Sequence, residues 1–130
     1  MQDDRDIRRA LGLQQQLRSI FELHSGGSED PAALLRVRKL CAVAMRQTQD
    51  SFCRTRLAEI ENYADAFFSD RKHQRWARNQ GTSGVKALRE RAFAGLDALD
   101  ERVHYIAAVK QLEAKNPQAL DVRAHPQGTP

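Results

Sequence analysis

Cysteines, aromatic residues and long apolar runs are all scarce in this chain of 130 residues. Cys41 and Cys53 are the only cysteines and form no C-x-x-C pair, so we expect both to be buried, reduced and without a structural disulfide. The longest apolar runs, 41–45 and 105–109, fall far short of the ~20 residues that cross a bilayer. The first residues, 1–6, lack the basic start and apolar stretch of a signal peptide. These absences predict a cytoplasmic protein with no membrane role.

The length and the composition predict one folded domain with a short tail. A chain of 130 residues with 41% apolar residues is large enough to bury a core without disulfides or metals. We assign residues 1–116 to a helical bundle domain. Residues 117–130 contain three prolines and few large apolar side chains, which predicts a disordered tail.

Apolar residues recur at steps of three and four, which is the period of an amphipathic helix. No segment has the alternation of a strand. Because helices with one apolar face bury it against each other, the pattern predicts an all-α fold, a compact bundle of four to five helices. The predicted stripes are Ala10, Leu13, Leu17, Ile20 and His24; Leu34, Val37, Cys41, Ala44 and Thr48; Cys53, Leu57, Ile60, Ala64 and Phe67; and Val85, Leu88, Ala92, Leu96, Leu99, Val103, Ile106 and Val109.

Local signals place the helix ends. Asp30 followed by Pro31 is typical of an N-cap and a first helical position. A single helix over 31–69 would be about 58 Å long, so we expect a break near Asp50 and Ser51, although no proline or glycine interrupts the run. The glycines of 81–84 precede the last helix, which Asn116 and Pro117 end.

Positive charge is concentrated in one stretch. The formal net charge is +4, yet residues 71–91 carry seven Lys or Arg and one Asp or Glu, while the chain on either side is slightly acidic. On a helix, Arg71, Arg75 and Arg78 share one face, and the single Trp76 lies among them. Guanidinium groups bind phosphate oxygens in a fork, and an indole stacks on a base. The start of the last helix adds Lys86, Arg89 and Arg91 beside a helix N-terminus, which favours anions.

The leading hypothesis is therefore a non-enzymatic binding subunit, within a larger assembly, that contacts a nucleic-acid phosphate backbone, in DNA or RNA. The alternative is a protein–protein interaction adaptor, homo-oligomeric or bound to a partner, with no nucleic-acid role. A third interpretation is a solvated or internally paired surface, with Glu59, Glu61, Asp65 and Asp70 as partners. The predicted nucleic-acid-binding residues are Arg71, Lys72, Arg75, Trp76, Arg78, Lys86, Arg89 and Arg91.

No catalytic or metal motif has the required spacing and orientation. Residues 81–86 lack the spacing of a phosphate-binding loop, and a helix-turn-helix centred on Gly81 would put polar Gln80 and Glu90 at buried positions. Glu101 and His104 form a single Glu-x-x-His that points away from the apolar stripe. Arg18 and His24 have the spacing of a ribonuclease motif, but one such pair arises readily by chance, and we interpret His24 as a cap at the helix C-terminus. We expect no enzyme activity, metal or small-molecule cofactor.

Overall fold

The chain folds into antiparallel helices, as described by a computed structural model over residues 4–24, 26, 28–69 and 84–115. Across these ranges it forms four helices and no strand, which confirms the all-α prediction. The basic segment 71–80 and the expected tail at 117–130 lie outside the described residues. The helices are α1 (Asp4–Leu23), α2 (Pro31–Arg46), α3 (Ser51–Phe67) and α4 (Gly84–Lys115).

The four helices pack as an up-and-down bundle. The closest backbone approaches join α1 to α2, α2 to α3, α3 to α4 and α4 back to α1. Short loops between α1 and α2 and between α2 and α3 make these neighbours antiparallel. Ile60 of α3 packs beside Gly95 of α4, where an added Cβ would lie 3.3 Å from the isoleucine side chain. The small residue lets these two helices approach closely.

Two aspartates begin helices where the sequence predicts. The side chain of Asp30 accepts a hydrogen bond from the Ala33 backbone N–H at 3.2 Å, ahead of Pro31. The break between α2 and α3 is real, because Asp50 caps α3 by accepting from the Cys53 N–H at 3.0 Å. These bonds satisfy backbone donors that the first turn of a helix leaves unpaired.

Most residues of the predicted stripes form the core, with α1, α3 and α4 supplying most of the large side chains. Leu17, Val37, Ile60 and Leu96 are fully buried in one continuous cluster. The cluster also takes in Phe21 and Phe68, which the predicted stripes omit. The apolar faces of α1 and of the end of α3 are therefore wider than their predicted stripes.

Three phenylalanines close one end of the bundle, which we name the closed end. The rings of Phe21, Phe67 and Phe68 are buried, with centroids 4.9–5.9 Å apart. The loop after α1 passes over them at Gly26, whose φ of +75° places it in the left-handed region. A Cβ there would lie 2.5 Å from the Phe67 ring. A side chain at this position would meet both backbone strain and a clash.

The opposite end of the bundle contains fewer packed side chains because α4 is longer than α2 and α3. At 32 residues it has about twice the length of α2, with 16, and of α3, with 17. Arg102 of α4 lies opposite the start of α3, so residues 103–115 extend about 20 Å further. Val103, Ile106 and Val109, predicted as part of the core stripe, are only partly buried. They lie past the last turn of α2 and the first turn of α3. Neither helix therefore packs fully over this part of the stripe.

Candidate functional site

The predicted basic site is described only where it enters α4. Arg71, Lys72, Arg75, Trp76 and Arg78 lie outside the described residues. Lys86, Arg89 and Arg91 occupy the first two turns of α4, at the closed end of the bundle. Lys86 and Arg91 are exposed, whereas Arg89 is partly buried.

Arg89 has a structural role that the sequence does not reveal. Its Nε donates to the carbonyl of Phe21 at 2.9 Å, and an Nη donates to the carbonyl of His24 at 2.9 Å. Its guanidinium carbon also lies 5.3 Å from the centre of the Phe67 ring. Arg89 therefore caps the C-terminus of α1, where carbonyl groups lack helical partners and the helix dipole favours a cation. Much of its hydrogen-bonding capacity is directed inward.

Two of the acidic residues considered as partners of the basic stretch contact arginines elsewhere. Glu59 pairs with Arg56 on the same helix at 2.6 Å. Asp65 lies 3.4 Å from Arg38 of α2. The first pair lies within α3, and the second joins α3 to α2. Part of the negative charge of α3 is therefore paired with arginines of the described bundle.

A concave surface lies at the end of the bundle opposite the phenylalanines. We name it the open-end groove, a half-open cleft of about 1110 Å³. Val103 and Ile106, on the part of α4 beyond Arg102, line one wall of the groove. Ile7 and Ala10, in the first turns of α1, line the other. The α2–α3 loop and the start of α3 close its base. The groove follows from the unequal helix lengths, and its lining is mostly apolar.

Gln14 of α1 lines this groove and is the one polar residue among the buried side chains of the described ranges. It is 5% exposed, and its Oε1 is buried with no hydrogen-bond donor in the described part of the chain. A buried acceptor without a partner is unfavourable, typically by ~1–3 kcal/mol. Such groups are uncommon in folded proteins and point to a ligand, a water or a functional role.

Asp50 and Arg102 form a fixed ion pair at the base of the open-end groove. Arg102 donates through Nε and an Nη to the two carboxylate oxygens, at 3.1 and 2.8 Å. These bonds from Arg102 lower the pKa of Asp50 to about 2, against the opposing effect of burial. The guanidinium also lies 5.0 Å from the Tyr105 ring and 5.6 Å from the Phe52 ring. Asp50 is therefore ionised and fully engaged at neutral pH, which suits a structural role.

Comparisons of the chain with protein-family models, with curated proteins and with solved structures find no match. The charge distribution of the sequence and the geometry of the described residues are therefore the basis for the proposed function.

The two cysteines are buried and free, as predicted. Burial raises the pKa of Cys41 to about 12, with a contribution from Glu61. Burial, followed by Asp50, raises the pKa of Cys53 to about 11. Both thiols are protonated at neutral pH, whereas the thiolate is the nucleophile and metal ligand.

The weak motifs of the sequence do not come together in space. Glu101 and His104 are both exposed, in agreement with their predicted orientation on α4. Arg18 bonds to Asp97 at 2.8 Å, while the Nδ1 of His24 lies 3.1 Å from Asp30. Each member of the ribonuclease-like pair thus has its own structural partner.

Among the described residues, no three His, Cys, Asp or Glu side chains form a group that could hold a metal ion. None of the described helices is both long and apolar enough to cross a membrane.

Proposed function

We propose that the chain is a non-enzymatic helical binding protein that contacts a nucleic-acid phosphate backbone through residues 71–91, as a subunit of a larger assembly. The observation that carries the proposal is the charge distribution. Seven of the 21 Lys and Arg residues lie in this stretch with a single acidic residue. Neutralising phosphates releases condensed counterions, so a dense cationic surface binds nucleic acid with little dependence on sequence.

The described part of the stretch supports the proposal and narrows its contact set. Lys86 is exposed in the first turn of α4, where the helix dipole adds positive potential. Arg91 is exposed about one turn further along the helix. Arg89 caps α1 instead, so we assign it to the stability of the closed end. The proposed phosphate contacts are Arg71, Lys72, Arg75, Arg78, Lys86 and Arg91, with Trp76 stacking on a base.

The test is binding to single-stranded and double-stranded oligonucleotides over a series of salt concentrations. For duplex DNA the logarithm of the affinity falls with the logarithm of salt concentration by about 0.9 per phosphate contact. We expect Arg75→Glu/Arg78→Glu to lose most of the affinity and to flatten this dependence. A double variant that binds as well as the parent chain contradicts the proposal.

A matched control variant changes the net charge by the same amount at two residues outside the basic stretch. Arg36 and Lys39 are exposed on α2, three residues apart, outside the basic stretch. Arg36→Glu/Lys39→Glu alters the total charge by the same amount as the test pair. We expect it to weaken binding far less, because the contacts are local and distant exposed charges are screened.

A second candidate function is self-association or partner binding through the outer face of α4. Tyr105 and Leu112 are 57% and 65% exposed, and Ala108 lies between them on the same side of the helix. Residues spaced by three and four in this way form the seam of a helix pair. Light scattering with crosslinking tests this candidate. A dimer that Leu112→Lys converts to a monomer supports it, and a clean monomer at high concentration excludes self-association.

A further inference from the structure

The open-end groove has the size and lining of a small-molecule site. Its volume of about 1110 Å³ is close to that of pockets that enclose drug-sized ligands. Side chains of Ile7, Leu57, Val103 and Ile106 supply apolar surface from three different helices. Apolar walls contributed by rigid helices suit the hydrocarbon body of a ligand, because burying that body removes apolar area from water.

Gln14 supplies the one feature that a purely apolar groove would lack. Its side chain is almost completely buried, yet its Oε1 has no donor within the described chain. The terminal torsion of a glutamine side chain has a broad minimum, so a modest rotation is enough to turn the carboxamide oxygen towards a donor. A donor placed in the groove beside Gln14 would satisfy a group that has lost its water.

The charges around the groove do not favour an ionic ligand. Arg9 and Lys110 on its walls are balanced by Asp6 and Glu113. Asp50, at the base, is already paired with Arg102. The groove therefore offers an apolar surface, one buried acceptor and no excess of either charge.

We propose that the open-end groove binds a small uncharged apolar molecule that carries a hydrogen-bond donor, and that Gln14 accepts the bond from it. Long-chain alcohols and primary amides belong to this class. The site lies at the opposite end of α4 from Lys86 and Arg91. The proposal therefore does not rest on phosphate binding, and the failure of either one leaves the other untouched.

The test uses n-decanol as the ligand and decyl methyl ether as the matched probe without a donor. Binding of each is measured by displacement of the uncharged fluorescent dye N-phenylnaphthylamine from the full chain. We expect n-decanol to bind about fivefold more tightly than the ether, the ratio that a typical net hydrogen bond provides. Decanoate, which is anionic, is expected to bind more weakly than n-decanol.

The variant Gln14→Leu removes the acceptor and keeps a side chain of similar size. We expect it to fold, to keep binding the ether and to lower the ratio of the two affinities to about one. Gln16→Leu is the control, since Gln16 is exposed on the same helix. It makes the same chemical change outside the groove and should leave the ratio at the parent value.

Three results would overturn the proposal. The first is a parent chain that binds neither decanol nor the dye. The second is a preference for decanol that survives in Gln14→Leu, since the donor would then be recognised elsewhere. The third is a stable dimer in which a second copy covers the groove, detected by light scattering together with loss of dye binding.

Discussion

Arg102 donates two hydrogen bonds to the carboxylate of Asp50, at 3.1 and 2.8 Å, and so joins α4 to the N-cap of α3. The same carboxylate accepts from the Cys53 N–H. The Asp50 side chain thus caps the N-terminus of α3 and also links α3 to α4. It also fixes the base of the open-end groove.

Replacing Asp50 tests how far this shared role stabilises the bundle. We expect Asp50→Ala to lower the free energy of unfolding by about 1–2 kcal/mol, the usual loss for an N-cap. Asp50→Asn keeps an oxygen that caps α3 but loses the charge, so its loss should be smaller. Urea unfolding at neutral pH measures both variants, and an unchanged midpoint for Asp50→Ala would contradict the assigned role.

The same carboxylate predicts a pH dependence. Its pKa is about 2 in the folded chain against an ordinary value of 3.8. Because the folded pKa is the lower one, the stabilisation is present above the ordinary value and is lost as the pH falls towards 2. We expect the stability difference between the parent chain and Asp50→Asn to shrink over this acidic range. A difference that stays constant in acid urea titrations would count against the Arg102 contact.

Arg89 allows its structural role to be separated from phosphate binding. Arg89→Met keeps apolar contact with Phe67 but removes both bonds to the carbonyls of Phe21 and His24. We expect it to destabilise the chain by about 1–3 kcal/mol, because carbonyl groups lose their donors. Under conditions where the variant stays folded, its affinity for oligonucleotides should fall much less than that of Arg75→Glu/Arg78→Glu. Full stability with lost affinity would instead make Arg89 a phosphate contact.

Gly26 tests the closed end. Gly26→Ala is expected to destabilise the fold by more than about 1 kcal/mol, because its positive φ and the Phe67 ring both oppose a side chain. Gly12 lies within α1 with nothing within 4 Å of an added Cβ. Gly12→Ala should therefore stabilise the chain by about 0.5–1 kcal/mol. Thermal unfolding measures both variants, and a Gly26→Ala variant at least as stable as the parent chain would refute the packing described for Gly26.

Features that depend on neighbouring residues are those that the sequence predicts well. Asp30 with Pro31, and Asp50 before Ser51, mark helix starts through contacts within a single turn. The stripe residues Leu17, Ile60 and Leu96 are buried as their spacing predicts. Local hydrogen bonds and the helical period are sufficient for these predictions.

Features that depend on the meeting of distant segments are not visible in the sequence. From the sequence, Arg89 is predicted to be a surface cation. Its capping role appears only when α4 packs beside the C-terminus of α1. Gln14 lies next to Leu13 on α1, and its Oε1 loses contact with water only when α1 packs against the rest of the bundle. The open-end groove arises because α4 continues past the last turn of α2 and the first turn of α3. The partial exposure of Ile106 is therefore a property of the assembled bundle.

Backbone amide NMR of the full chain during titration with an oligonucleotide tests the central claim most directly, since it locates the contact and measures binding together. The account predicts shifts at Lys86 and Arg91 that reverse on adding salt, with the amides of Gln14 and Ile106 unmoved. Shifts confined to the open-end groove, or none at low salt, would contradict it.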